Sequence, residues 1–155
     1  MIYLFYIACV ILFIVSPCNC GVSIDNMAGI FTYQFMHANI LHLAVNILSL
    51  ALMYNPIKKM YEERFSGIII PNLFIVLYLF SIIVGGFCAM PTPTVGASGM
   101  VFFLLGMLII LNPTLQQLKN YIYIAIAVIV SIIFGNSNVA LHILSFVFGA
   151  LYTIT

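Results

Sequence analysis

Only three carboxylate side chains occur in these 155 residues, Asp25, Glu62 and Glu63, and none lies inside an apolar run. That shortage excludes paired-carboxylate chemistry, a Ser-His-Asp triad and a carboxylate-rich metal site in the apolar part of the chain. It also removes the intramembrane carboxylate of a small transporter, and no inverted repeat is visible. Cations are as scarce: Lys58, Lys59, Arg64 and Lys119 are the whole set, and a net charge of +1 gives no ground for nucleic acid or an acidic partner. Tryptophan is absent. The four cysteines, Cys9, Cys18, Cys20 and Cys88, form no CxxC pair, so neither a redox nor a zinc motif is supported. A disulfide from Cys88 to Cys18 or Cys20 and a role as small apolar fillers are both left open.

What the chain has in excess is apolar surface. Hydrophobic residues make up 65% and charged residues 5%, far from the balance of a soluble domain. A spanning helix needs roughly 20 apolar residues to cross about 30 Å of hydrocarbon. Six stretches qualify, some at the short end as in a thin or locally thinned bilayer: Ile2–Pro17, His37–Tyr54, Ile68–Met90, Val95–Leu111, Tyr121–Phe134 and Val139–Thr155. Because lipid leaves no partner for bare backbone groups, the expected fold is an all-α membrane protein, one domain over residues 1–155 with six transmembrane helices. All four cations fall in the second-to-third and fourth-to-fifth connections, which the positive-inside rule makes cytoplasmic. Cys18–Met36, Gly86–Thr94 and Gly135–Asn138 then face out, and both termini lie inside. Met1–Cys20 can also be read as a cleaved signal, but it lacks a basic start and is taken as a retained helix.

Asn55-Pro56 is expected to end the second span and Asn112-Pro113 the fourth. The Gly- and Pro-rich run Gly85–Thr94 reads as irregular backbone leading toward Ser98. Asn26–Gln34 carries Met27, Ile30 and Phe31 and reads as a loop dipping into the membrane interface.

Strongly polar side chains in lipid are costly, so each is a functional candidate. The set is small: His37, His42 and Asn46 on span two, Ser98 on span four, His142 and Ser145 on span six. These three spans enter from the outer face, which puts all the candidates at one depth. His42 and Asn46 share a helix face one turn apart. Gly96 and Gly99 flank Ser98, letting another backbone come close, and Ser98 falls in a first turn, where free amides favour developing negative charge. His142, Ser145 and Gly149 make a stripe that is polar, then small, then small, and such a stripe allows close packing on a neighbour. A serine hydroxyl needs a base, and with no carboxylate nearby a Ser98–His142 dyad remains, with Asn46, His42 and the Ser98 amide as oxyanion donors. Taken singly, Gly-x-Ser-Gly is an ordinary packing motif, a histidine near a helix end an interfacial residue, and Asn46 interhelical glue. Their coincidence at one depth carries the functional reading.

These motifs resemble the rhomboid family of intramembrane serine proteases. His37-x4-His42-x3-Asn46 is similar to its second-helix motif, Gly96-x-Ser98-Gly99 to its nucleophile motif, and Leu141-His142-x2-Ser145-x3-Gly149 to its last-helix Ala-His-x2-Gly-x3-Gly pattern. The resemblance covers roughly residues 25 to 155, and Phe31-Thr32-Tyr33 belongs to it. It implies a rhomboid-like bundle, with Ser98 as nucleophile, His142 as base, His42 and Asn46 in the oxyanion hole and Phe102 stacked on His142. It further implies that Gly135–Asn138 caps the site and that Cys88–Thr94 helps admit water. Substrates would be single-span membrane proteins cleaved near the outer face, with neither cofactor nor metal. The chain departs from the family at Ala28-Gly29, where a Trp-Arg pair is usual. It departs again at Ser145, in place of a glycine, which is expected to set the fourth and sixth helices slightly further apart.

Two other classes compete. A non-catalytic relative would grip membrane helices without cutting them, although such relatives lose the Ser or the His. A metal or haem carrier would use His37, His42 and His142, but without a His-Glu-x2-His spacing or a neighbouring carboxylate.

Overall fold

The computed structural model describes residues 1–15, 21–66, 71–111 and 138–154. Within them five apolar stretches are helical: α1 (Ile2–Val15), α2 (Ile40–Arg64), α3 (Leu73–Phe87), α4 (Ser98–Leu111) and α5 (Val139–Ile154). A 3-10 turn, Met27–Phe31, lies between α1 and α2. The expected Tyr121–Phe134 span lies outside the described residues, as do Cys18, Cys20, Lys119, Asn112-Pro113 and Gly135, Asn136 and Ser137 of the expected cap.

α4 is the central helix. Every residue from Gly99 to Met107 is buried, as a helix apolar all round requires. α2, α3 and α5 pack around it and turn apolar side chains outward: Val45, Leu48 and Leu52 on α2, Ile75, Leu79 and Ile83 on α3, and Ile143, Val147 and Leu151 on α5. Water would penalise such continuous outward stripes, whereas lipid suits them. By length and hydropathy α2 is the one described helix that alone meets the criterion for crossing a membrane, and the others are shorter apolar helices of 14 to 16 residues.

α4 and α5 pack backbone to backbone. A Cβ at Gly106 would fall on the Phe146 carbonyl oxygen and lie 2.8 Å from the Ala150 nitrogen. A Cβ at Gly149 would likewise fall on the Phe103 carbonyl oxygen. Small residues at these two points bring the axes together. Ser145 is buried on the same α5 face as His142 and Gly149, with its hydroxyl 3.3 Å from where a Gly99 Cβ would stand.

Three local expectations are corrected. Asn55-Pro56 does not end α2, which continues through Pro56 to Arg64. Proline removes one intrahelical donor, but continuation keeps Ile57 and Tyr61 buried and lets Tyr61 meet Tyr152 of α5, hydroxyl to hydroxyl at 2.6 Å. Lys58 and Lys59 therefore sit on the helix, paired with Glu62 and Glu63 one turn on. Gly85, Gly86 and Phe87 are not irregular backbone but the last turn of α3, and the Tyr33 ring lies where a Gly85 side chain would stand, 2.6 Å from its Cβ position. His37 is not on α2, which starts at Ile40 behind an Asn39 N-cap whose side chain accepts from the His42 amide at 2.8 Å.

Candidate active site

The segment before α4 is held from both sides. Val22 and Thr94 form an antiparallel bridge with bonds of 3.0 and 2.8 Å, and the Gly96 amide donates to the Tyr33 carbonyl at 2.8 Å. Tyr33 is itself anchored, its hydroxyl donating to the Ser81 carbonyl of α3 at 2.7 Å. Gly96 has φ +109, a left-handed conformation that favours glycine, and this turn delivers Ser98 as the first residue of α4.

On α5, Asn138 caps the helix: its Oδ1 accepts from the Leu141 amide at 3.1 Å and its carbonyl from the His142 amide at 3.2 Å. His142 points at α4, and its Nε2 stands 2.8 Å from Ser98 Oγ. With the ring proton on Nδ1, the hydroxyl donates to Nε2. The imidazole lies flat on Phe102, with centroids 4.3 Å apart and planes at 10°. His142 is buried while Ser98 is half-exposed, so the base is sheltered and the hydroxyl can be reached.

α2 contributes the facing side. His42 and Asn46 reach over Gly96, where a Cβ would lie 2.7 Å from His42 Nε2 and 3.1 Å from Asn46 Nδ2. The glycines around Ser98 thus make room for side chains rather than for the neighbouring backbone that the sequence suggested. A Gly99 Cβ would meet Leu141 Cδ2 at 3.0 Å and Ser145 Oγ at 3.3 Å. Asn46 is 4% exposed, and its Nδ2 has no hydrogen-bond partner among the described residues. A buried amide donor left bare is costly, and here it faces the serine end of the site. His37 stands behind, its ring edge-on to His42 at 5.3 Å, with Nδ1 donating to the Phe35 carbonyl at 3.2 Å and a buried Nε2 that has no partner among the described residues.

Ser98, His142, Phe102, His42, Asn46, Gly96 and Gly99 are therefore brought together. His37 lies one layer back, and Gly149 works at a distance through the α4–α5 seam. Asn39 was not singled out from the sequence, while Tyr33 entered only within Phe31-Thr32-Tyr33, Asn138 only as the end of the expected cap and Thr94 only as the end of the Cys88–Thr94 segment, none with a bonding role of its own. Both asparagines directly precede helical runs, an N-cap signal open to reading, whereas the anchoring by Tyr33 and Thr94 depends on partners distant in the chain. Among the described residues, no group of three or more His, Cys, Asp or Glu side chains is placed to hold a metal.

The Rhomboid domain family model matches residues 24–155, which takes in α2 to α5 and every residue of the site. Neither the curated proteins nor the solved structures provide a significant match. The family is membrane-embedded, and it comprises serine proteases together with inactive homologues. With the greater part of its length matched, the chain belongs to the rhomboid family.

Proposed function

We propose that this protein is an intramembrane serine endopeptidase that cleaves single-span membrane proteins near the outer face of the bilayer. The observation that carries the reading is the 2.8 Å approach of His142 Nε2 to Ser98 Oγ, in a chain with no carboxylate near either group. Ser98 Oγ attacks the scissile carbonyl carbon as its proton passes to His142 Nε2. The resulting oxyanion is met by Asn46 Nδ2, unpartnered among the described residues, by His42 and by the Ser98 amide at the start of α4. His142 then gives the proton to the leaving amine nitrogen, the C–N bond breaks and an acyl-Ser98 ester remains. Water, deprotonated by His142, attacks the ester carbon and releases the acid with Ser98 restored. The stack on Phe102 keeps the imidazole in one plane through both transfers.

The reaction needs no cofactor or metal. A substrate helix must unwind to present its carbonyl, so small or helix-breaking residues are expected near the cut. The chain is read as one six-span domain over residues 1–155 in a cell membrane. Lys58, Lys59 and Arg64, at the far end of α2 from His42, support a reading with both termini in the cytoplasm and the site toward the outside.

Labelling by a fluorophosphonate in detergent tests this reading. Wild type is expected to label, and Ser98→Ala and His142→Ala to lose the label while remaining folded. A folded wild type that never labels would overturn it in favour of a helix-binding, non-catalytic rhomboid.

A further inference from the structure

Thr94 lies four residues before Ser98, and Asn138 lies four residues before His142. Their side chains are bonded to each other: Asn138 Nδ2 donates to Thr94 Oγ1 at 3.1 Å and to the Cys88 carbonyl at 2.6 Å. The Asn138 Oδ1 is occupied by the Leu141 amide, so both ends of this 4%-exposed amide are engaged. Thr94 is held independently, its backbone amide and carbonyl both bonded to Val22. The result is a link, one turn upstream of each reacting residue, between the lead-in to α4 and the cap of α5.

We propose that Asn138 and Thr94 act as a positioning clasp for the Ser98–His142 pair. The inference rests on the proteolytic reading above. The glycine contacts of Gly106 and Gly149 set how close α4 and α5 come, but a seam of small residues resists sliding along the axis only weakly. A slip of about 0.5 Å is enough to spoil a catalytic hydrogen bond. The clasp supplies the axial stop. It joins the residue that starts α5 to a strand-like segment already bridged to Val22, and so holds His142 level with Ser98.

The test uses Thr94→Val, which keeps shape and backbone but loses the acceptor, and Asn138→Ser, which keeps a helix cap but loses the reach. Each is expected to slow fluorophosphonate labelling of Ser98 roughly tenfold, the scale of one lost hydrogen bond. The double variant is expected to be no slower than Asn138→Ser alone, which already removes the link to Thr94 together with the bond to the Cys88 carbonyl. Thr94→Ser, which retains the hydroxyl, is expected to label at the wild-type rate, and the melting temperatures are expected to stay close together. Wild-type labelling in Thr94→Val, or losses that multiply in the double variant, would overturn the clasp. Amide exchange at Leu141 and His142, measured without any activity, is expected to quicken in Thr94→Val, and unchanged exchange would also overturn it. A wild type that does not label at all defeats the proteolytic reading instead, and the exchange data then decide the clasp alone.

Discussion

Where α4 meets α5 the two backbones touch, and where the lead-in to α4 meets α2 only side chains do. On the first seam the Cβ positions of Gly106 and Gly149 coincide with carbonyl oxygens of the opposite helix, so no rotamer is left to adjust. On the second, His42 and Asn46 extend over Gly96, and one of their donors has no partner among the described residues. The difference follows from what each seam carries. The α5 seam sets how close His142 comes to Ser98, and backbone contact is stiff in that direction, while the link between Asn138 and Thr94 opposes sliding along the axis. The α2 side must offer donors to a charge that exists only during reaction, so its donors are left incompletely used at rest. Rigidity and unfinished bonding are divided between two faces of one helix lead-in.

Breaking the stiff seam should have the largest effect. In Gly149→Val the new side chain would meet main-chain atoms of Phe103, which cannot swing aside. The cost is expected at or above about 1–3 kcal/mol, the usual range for overpacking. Labelling of Ser98 should be lost outright. A melting curve in detergent beside the labelling assay checks both, and a variant that melts and labels as wild type would mean the helices do not touch there.

Removing the unfinished donor should separate stability from activity. Asn46→Ala deletes an Nδ2 that bonds nothing among the described residues, so the melting temperature should hold or rise. Turnover of a membrane-helix substrate should fall roughly 10²–10³-fold, the usual loss of an oxyanion donor. Steady-state kinetics and a melt on the same preparation decide it. Lower stability with intact turnover would make Asn46 ordinary interhelical glue.

The sequence displayed the described helices because apolar runs in lipid have few alternatives, and it displayed Ser98 and His142 as neighbours because each stands near the head of such a run. It misplaced features whose outcome depends on a distant partner. Pro56 reads as a stop, but Tyr152, far along the chain, gives Tyr61 a reason to stay helical. Gly85-Gly86 reads as loop, but the Tyr33 ring occupies the space a side chain would need. His37 reads as helical from hydropathy, yet Asn39 caps the helix after it. Local pattern carried the elements, while the distances between them came from pairs widely separated in the chain.

The stack of Phe102 on His142 is intermediate between the two seams, a side-chain contact that acts on the base itself. Phe102→Leu keeps apolar bulk but loses the flat face, worth about 0.5–1.5 kcal/mol for an aromatic pair. A loss in kcat of a few-fold to about tenfold is expected, with little change in KM. A change confined to KM would assign the ring to substrate contact instead.

The smallest effect expected is also the sharpest test of how stiff the α4–α5 seam is. Ser145→Gly removes a hydroxyl beside Gly99 and replaces it with the residue least suited to a helix interior, a loss of about 0.5 kcal/mol from propensity alone. Gly99→Ala should cost more, because its new methyl would press on Leu141 Cδ2 at 3.0 Å and Ser145 Oγ at 3.3 Å, next to the reacting serine. Combining the two takes away one of those obstacles, so the double variant should recover part of the activity and stability lost in Gly99→Ala. The size of that recovery in a double-mutant cycle measures the Ser145–Gly99 contact directly. Strict additivity would mean the helices relax apart to admit a methyl, and the seam would then be no stiffer than the α2 side. Partial recovery, with Leu141 as the remaining obstacle, would mean the helices stay in place and only the side chains yield.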